Sequence, residues 1–533
     1  MSTTRRALLA AALSAPLAGC LRDTAPRWSG DWVGASHERG HRLREPKSGT
    51  LPAPALHHRA GVLIVGAGVA GLACARELSR AGVDDVQVFD LEDSAGGNSR
   101  GHRIAGMACP LGAHYLPAPG EQAREVAALL DELGLRRVQH GRVVYDERHL
   151  CHSPQERLYI AGQWHEGLLP PIEALPDGER EATSTQYRRF AALVRDAGAG
   201  GAFAIPTSRS VWRDDLNALD ALTFAQWLDG RGLTAPALRW YLDYCCRDDY
   251  GAGAREVSAW AGLHYFASRH GFHPPGSEDG ERDAVLTWPE GNAWLVARMA
   301  APLAQRVHTG MLALRVVEGR HGVDLDVWNA RADRIERWSA PHVVLATPLF
   351  VSLRVLAVPP PALVDAVAAS RHAPWLVANL HLDDALVDAP GAPPSWDNVI
   401  YGGSGLGYVD AMHQSLRPHA GPTVLTHYVS WGTDRAHRRA LLADSWRDRA
   451  AQVVASLSVA HPDLPHKLRR IDLARYGHAM SVPVPGVRTS ASLRALAATR
   501  GRVHFAHSDL SGYSIFEEAF TQGVDAARRV TGT

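Results

Sequence analysis

Apolar and polar positions between residues 61 and 90 follow the pattern of a strand, a helix and a second strand. Residues 63–65 form a short apolar run of the kind needed by a strand buried on both faces. An alanine-rich helical pattern continues to about Ala81, where a glycine can end it. A second strand pattern over residues 86–89 ends on Asp90. The sequence therefore predicts a strand–loop–helix–strand unit near the start of the chain.

The loop of this unit has the glycine spacing that lets a backbone approach a pyrophosphate. One glycine permits the tight turn, the next permits the close approach, and the third lets helix and strand pack together. The helix N-terminus presents free N–H groups to the phosphates. Asp90, 19 residues beyond the last glycine, can accept hydrogen bonds from both ribose hydroxyls. We expect dinucleotide binding by Asp90 and by the loop residues Gly66, Ala67, Gly68, Val69, Ala70 and Gly71.

The later part of the chain repeats strand and helix patterns at wider intervals. Helical patterns occur at 223–228 and 238–242, and another covers about 514–529. Strand patterns are expected at residues 308–316, 323–328, 341–345, 376–382, 424–431 and 502–509.

The first 19 residues have the features of an export signal. Arg5 and Arg6 precede an apolar run from Ala7 to Ala18, which is too short for a bilayer core that needs about 20 residues. The arginine pair resembles a twin-arginine signal, and the residues ending on Cys20 resemble a lipobox. We expect a periplasmic lipoprotein anchored to the membrane at Cys20, the alternative being an ordinary cleavable signal. Export of an already folded protein favours FAD, a tightly held cofactor, over a diffusing nicotinamide.

Composition narrows the class of protein further. The chain has 533 residues, enough for two or three domains, and its 56 basic and 56 acidic residues balance. This balance argues against a nucleic-acid partner. The spacing of the six cysteines fits no metal site, and the vicinal Cys245 and Cys246 are more typical of packed thiols than of a redox pair.

A second glycine pair follows the expected ribose acid, in Gly96-Gly97-Asn98. Here the chain resembles the flavin-containing amine oxidases and related FAD-dependent oxidoreductases with a Rossmann-type nucleotide-binding domain. The family has arginine where this chain has Asn98, so the resemblance implies that Arg100 or Arg103 supplies a phosphate contact. The segment at 110–115 resembles a family segment that lies near the flavin. The segment at 287–292 resembles the family's turn before a helix, and 341–348 resembles the strand and turn that close the second FAD-binding segment. Residues 312–314 would lie beside the adenine.

The C-terminal segment from Arg502 resembles the third part of the family's FAD site. It has a strand ending near Asp509, then Ser511-Gly512-Tyr513 and a helix. The resemblance implies that Asp509 contacts the ribityl or phosphate region, with Gly512 and Tyr513 close to the cofactor. The helix N-terminus would face the flavin pyrimidine.

The resemblance implies an α/β fold with a Rossmann-like FAD-binding domain and an inserted mixed α+β substrate domain, as in amine oxidases and glutathione reductase. The expected divisions are a signal at 1–19, a tether at 20–57 in which Trp28 and Trp32 dock, FAD-binding segments at 58–150, 285–360 and 475–533, a helical substrate part at 151–284 and a substrate sheet at 361–474.

The substrate side offers fewer signals. The resemblance makes Tyr513 one wall of an aromatic cage, with Tyr476 or Trp375 as the second wall. Counting from the turn at 346–348 puts Arg354 at a position where many amine oxidases have a lysine against the flavin. His478 is a candidate for proton transfer, with a structural role as the alternative.

Two adjacent acids are further candidates for contact with the substrate. Asp248 and Asp249 could receive a cationic amine, although capping of the helix at 256–268 or pairing with Arg247 is the simpler expectation.

The resulting expectation is an exported FAD-dependent oxidoreductase that oxidises an amine by hydride transfer to non-covalently held flavin. A polyamine or other primary amine is the leading substrate class. The alternatives are a desaturase or isomerase of the same superfamily acting on an apolar substrate, and a non-catalytic flavoprotein anchored at the membrane.

Overall fold

A computed structural model describes residues 28–44, 51–269, 271–275, 284–415 and 420–532. The arginine pair at Arg5 and Arg6 and the lipobox cysteine Cys20 lie outside the described residues. Within the described ranges, every helix is too short or too polar to cross a bilayer.

The centre of the first layer is a parallel five-stranded sheet. Val62–Val65 is the middle strand. All four of its residues are buried, because both faces of the sheet are covered. Three separated parts of the chain supply the strands, as expected for an inserted substrate domain. Their order across the sheet is Val307–Thr309, Val86–Asp90, Val62–Val65, His342–Leu345 and Val503–Phe505.

Two helices cover one face of this sheet. Val69–Arg80 follows the central strand directly, and Phe516–Thr531 is the last helix of the chain. They cross closely because Gly523 has no side chain: a Cβ there would overlap the carbonyl oxygen of Ala70. This crossing holds together the two helices whose N-termini border the site described below.

A small sheet covers the other face. Its strand order is Met311–Glu318, Val323–Asn329, Arg334–Ala340 and Leu56–Arg59. The single strand expected at 308–316 is two strands in the structure. Gly310, with φ of 72°, breaks the run and sends its two halves into different sheets.

An eight-stranded mixed sheet forms the base of the part of the chain that is expected to bind the substrate. The expected strands at 376–382 and 424–431 are both present in it. Its order is Trp32–Val33, Leu468–Ser481, His372–Leu382, Thr423–Ser430, Tyr408–Asp410, Asp397–Ile400, Glu156–Ile160 and Gln163–Glu166.

Helices from the middle of the chain pack over this sheet around an aromatic core. Thr223 and Gln226 form a reciprocal capping box that begins one of them. Gly251, with φ of 75°, ends another. These helices are Asp177–Gly198, Asp214–Asn217, Phe224–Gly230, Pro236–Tyr250 and Ala259–Ala267.

Shorter elements complete the two regions. The paired strands are Gly101–Ile104 with Met107–Pro110, Tyr115–Pro117 with Val285–Thr287, and Arg136–Gln139 with Arg142–Tyr145. The remaining α-helices are His37–His41, Arg124–Glu132, Ala293–Ala300, Leu349–Val355, Pro361–Ala369, Arg435–Ala443, Trp446–Leu457, Leu464–Lys467 and Ala491–Ala497.

Candidate active site

A cavity of about 510 Å³ begins at the glycine loop of the parallel sheet. Gly66 turns the chain with φ of 106°, and a Cβ there would lie 2.5 Å from the carbonyl oxygen of Ala346. Gly71 packs against the backbone of Gly66, where a side chain would overlap its carbonyl. The cavity itself is bordered by Gly66, Gly68, Val69 and Ala70.

The bottom of this cavity has room for a phosphate chain. Gly68 and Gly97 approach each other through bare backbone, and a Cβ added at Gly68 would have Gly97 Cα, at 3.9 Å, as its nearest neighbour. Gly68 caps the Val69–Arg80 helix without a side-chain hydrogen bond, so that the helix N-terminus is left to a ligand. This cradle fits the pyrophosphate of FAD.

Two carboxyl groups border the cavity where the second strand ends. Asp90 is 9% exposed and accepts hydrogen bonds from the backbone N–H groups of Ala67, at 2.8 Å, and Glu92, at 2.9 Å. Burial raises the pKa of Asp90. Glu92 also borders the cavity and pairs with Arg100 at 3.3 Å. The sequence pattern pointed to Asp90 as the ribose-binding acid but gave no signal for Glu92. Glu92 reaches the cavity because the chain turns after the strand that ends on Asp90.

The second glycine pair lies on the same wall. Gly96 and Gly97 have φ of 129° and 57°, and the amide of Asn98 donates to the carbonyl of Ala479 at 2.5 Å. Asn98 therefore ties the cofactor region to the substrate sheet. Of the two expected cationic replacements, Arg100 borders the cavity, whereas Arg103 donates to the carbonyl of Gly106 at 2.7 Å and does not.

Asp509 lies at the far wall, after the last strand of the sheet. It is 2% exposed, accepts a hydrogen bond from the backbone of Leu349 at 2.9 Å, and faces His372 and His507 at 3.3 and 3.2 Å. These two imidazoles hold the pKa of the Asp509 carboxyl well below its usual value despite its burial. Asp509 borders the cavity as expected from the sequence.

Gly512 and Tyr513 border neither this cavity nor the smaller one that adjoins it, contrary to the expected aromatic cage. Gly512 turns the chain inward with φ of 76°. The ring of Tyr513 consequently packs in the core against Tyr250, with ring centroids 5.2 Å apart, and also contacts His264. The helix begins two residues later than the pattern suggested, and Ile515, its capping residue, takes the cavity position.

Three further candidates border the first cavity. Arg354 borders the first cavity but not the second, and donates to the carbonyl of Leu43 at 3.4 Å. Its role as the counterpart of the family's lysine stays a prediction. His478 packs on Phe350, with ring centroids 4.5 Å apart, and burial lowers its pKa to about 3. Tyr476 borders both cavities and donates its hydroxyl to the carbonyl of Leu111 at 2.7 Å.

An N-terminal arm, residues 28–44, covers part of the first cavity. Trp28 contacts Trp446, with ring centroids 5.6 Å apart, and Trp32–Val33 adds an edge strand to the large sheet. Arg39 pairs with Asp93 at 2.8 Å. Residues 35–37, 40, 41, 43 and 44 border the cavity. The tryptophans predicted that the arm docks, but its contribution to the cofactor wall has no sequence signal.

A second cavity of about 140 Å³ adjoins the first. Trp375, Tyr428 and His114 form aromatic walls, and the rings of His114 and Tyr428 stack at 4.5 Å. The seam between the cavities is the set of residues that border both: Asn98, Ala113, Tyr476, Ala479, Ser514, Ile515 and Phe516.

Charged groups also line the second cavity. Asp248, Asp249, Arg269 and Glu517 all border it. Asp249 pairs with Arg269 at 3.2 Å; the Asp249 side chain is buried and the Arg269 side chain is mostly buried, with 14% exposed. Burial and the neighbouring Asp249 carboxylate raise the pKa of Asp248 to about 7, and burial raises that of Glu517 to about 7.

The expectation that Asp248 and Asp249 cap a helix or pair with Arg247 is wrong. Ser258 caps the Ala259–Ala267 helix with its own side chain, and Arg247 pairs with Asp243 at 3.1 Å. Glu517 was missed altogether. Its position in the first turn of the last helix was visible in the sequence, but the cavity that it borders was not.

Comparison with known proteins agrees with this geometry. A sequence model of the flavin-containing amine oxidoreductases matches residues 69–531. The chain belongs to this family. It is 23% identical over 482 residues to an L-amino acid dehydrogenase of Synechocystis, a match that covers 88% of this chain and 94% of the relative. It is therefore an oxidoreductase of a flavin-dependent family.

Solved structures show the same fold. Putrescine oxidase bound to putrescine superposes with a TM-score of 0.64 at 20% identity, covering 90% of this chain and all of that one (100%). Cyclohexylamine oxidase from Brevibacterium oxydans gives a TM-score of 0.64 at 18% identity, covering 89% and 99% of the two chains.

Proposed function

We propose that this protein uses FAD to oxidise a small cationic amine held in the second cavity. The observation that carries the proposal is the pairing of the two cavities. The larger has the backbone cradle of a dinucleotide, and the smaller shares a wall with it and is lined by both carboxyl groups and aromatic rings. An ammonium group is the complement of both surfaces.

Each wall of the second cavity has a task in this reaction. Trp375 and Tyr428 exclude water and present ring faces to a cation. The Asp248 carboxylate binds an ammonium group, whose charge favours the ionised form of the acid. The Asp249–Arg269 ion pair is already satisfied and leaves Asp248 as the available anion. When bound, FAD accepts the hydride that leaves the carbon bearing the amine.

The same proposal includes how the cofactor is held and where the protein works. FAD would be held without a covalent bond, by the glycine cradle, Glu92 and Asp509, with the arm across the cavity. The twin-arginine pattern at Arg5 and Arg6 supports export of the folded holoprotein, and Cys20 supports anchoring to the membrane on the periplasmic side. Fractionation of cells that express wild type or Cys20→Ser tests this: the wild type should fractionate with membranes and the variant should be released.

The direct test of the activity is the spectrum of the natively purified protein. It should be yellow, the colour should leave with the supernatant on denaturation, and an amine panel should bleach it in the absence of oxygen. A peroxide assay in air then distinguishes oxygen from another electron acceptor. A yellow protein that no amine reduces, but that an apolar lipid or polyene does, would instead indicate the desaturase or isomerase. A protein inert to every substrate would indicate a non-catalytic flavoprotein.

A further inference from the structure

Glu517 is a buried acid next to the seam of the two cavities, and the reaction above gives it no task. It is 3% exposed and follows Phe516, which borders both cavities, at the start of the last helix. Glu517 itself borders only the second cavity. An acid therefore lies at the substrate cavity, next to a residue that borders both substrate and cofactor.

The neighbours of Glu517 do not keep it permanently ionised. The groups that act on it electrostatically are Asp249 and Glu518, which raise its pKa, and Arg269, which lowers it. Arg269 is already paired with Asp249 at 3.2 Å, so its charge is largely compensated. Glu517 can consequently take up and lose a proton near neutral pH, as a general base must.

The adjacent acid, Glu518, has a different environment. It accepts a hydrogen bond from the backbone of Thr207 at 2.5 Å and borders neither cavity. One of two adjacent buried acids thus has a structural partner, while the other borders the substrate cavity.

We propose that Glu517 is the catalytic base that converts the bound ammonium substrate to the reactive neutral amine. This inference rests on the proposed amine oxidation. The Glu517 carboxylate takes a proton from the ammonium nitrogen: the N–H bond breaks, its electron pair stays on nitrogen, and an O–H bond forms on Glu517. The nitrogen lone pair then assists loss of hydride from the adjacent carbon to the FAD that the first cavity would hold, and the two-electron oxidation leaves an iminium product. Glu517 returns the proton to water after the product departs.

The test measures the rate at which saturating amine bleaches the protein without oxygen, as a function of pH. In wild type this rate should fall as the pH drops through about 7, because Glu517 becomes protonated. Glu517→Gln should reduce the rate by about 10²-fold at neutral pH and remove the midpoint near 7, leaving a rate that rises only as the amine itself loses its proton. The matched control, Glu518→Gln, keeps an oxygen that can accept the Thr207 hydrogen bond. It should retain a pH-dependent rate close to that of wild type, with a lower midpoint because Glu518 raises the pKa of Glu517.

A second substrate separates a base from a merely structural acid. A weakly basic fluorinated amine is already neutral at pH 7, so Glu517→Gln should oxidise it with little deficit relative to wild type. An equal deficit for strongly and weakly basic amines would overturn the assignment, as would a variant that keeps the midpoint near 7.

Wild type alone also decides the question if Glu517→Gln does not fold. Its pH midpoint should stay constant across amines of different basicity, because the group that titrates belongs to the protein. A midpoint that follows the basicity of each amine would refute the role of Glu517 while leaving amine oxidation intact. Wild type that no amine bleaches would overturn both proposals.

Discussion

The crossing of the two helices that border the cofactor cavity gives the sharpest structural prediction. Gly523 in Phe516–Thr531 lies against Ala70 in Val69–Arg80. The change Gly523→Ala puts a Cβ into the carbonyl oxygen of Ala70 and 3.0 Å from the Cβ of Ala73. A backbone oxygen within a helix cannot rotate away, so that the two helices must separate.

The magnitude follows from two opposing effects. Alanine stabilises a helix interior by about 1 kcal/mol relative to glycine. Overpacking a close contact costs about 1–3 kcal/mol, and the upper end applies here because the obstacle is backbone. We therefore expect Gly523→Ala to lower the free energy of unfolding by about 2 kcal/mol. Since both helices border the cofactor cavity, the variant should also release FAD faster.

The assay is urea unfolding of the holoprotein, with FAD release followed by the rise in flavin fluorescence. The matched control is Gly178→Ala in the Asp177–Gly198 helix, where an added Cβ meets no atom within 4 Å. That change should leave stability unaltered or increase it slightly. Equal midpoints and equal FAD release for the two variants would refute the packing argument.

Three other predictions concern the arm, the second cavity and the response to acid. Arg39→Ala removes the contact of the arm with Asp93 and should speed FAD release several-fold with little change in overall stability, as measured by flavin fluorescence and thermal unfolding. Asp249→Asn leaves Arg269 buried without its counter-charge and should lower the free energy of unfolding by about 3–5 kcal/mol in urea; a loss below 1 kcal/mol would contradict the buried pair. His264 Nε2 donates a hydrogen bond to the carbonyl of Ala204 at 2.8 Å, and burial lowers the pKa of His264 from 6.5 to about 3. The unfolded chain therefore binds a proton that the folded chain does not, and stability should fall as the pH drops below 6.5, by about 1.4 kcal/mol per pH unit from this group. Urea titrations at several pH values should show a shallower fall for His264→Gln.

The cofactor half of the fold was predictable because its signals are local. The buried strand at 62–65, the glycine loop and the strand that ends on Asp90 follow one another within thirty residues or so, and the structure joins them as the pattern indicated. The break at Gly310 was less visible, because a single glycine in an apolar run is also compatible with an unbroken strand.

The substrate half was not predictable in the same way, because its site is formed by residues that only tertiary packing brings together. Asp248 ends one helix, Arg269 follows another, and Glu517 begins the last. Their meeting depends on how those helices lie on the large sheet. Even the candidate cage residue was displaced, since the length of the turn after Asp509 decides which side chain reaches the cavity, and the pattern fixed the helix start only to within two residues.

Ile515, and not the expected Tyr513, lies at the seam between the cavities, and this affects how a substrate is oriented. With Tyr513 in the core, the aromatic surface of the second cavity comes from Trp375, Tyr428 and the residues beside them. An aromatic pair that faces a substrate from two sides fixes its axis by shape, and Tyr513 is not part of such a pair here. The Asp248 carboxylate supplies a constraint instead, because an ammonium group that it holds has one favoured direction between charge and ring. If charge sets the orientation, the rate of oxidation should depend more on where a second cationic group lies in the substrate than on the size of the substrate.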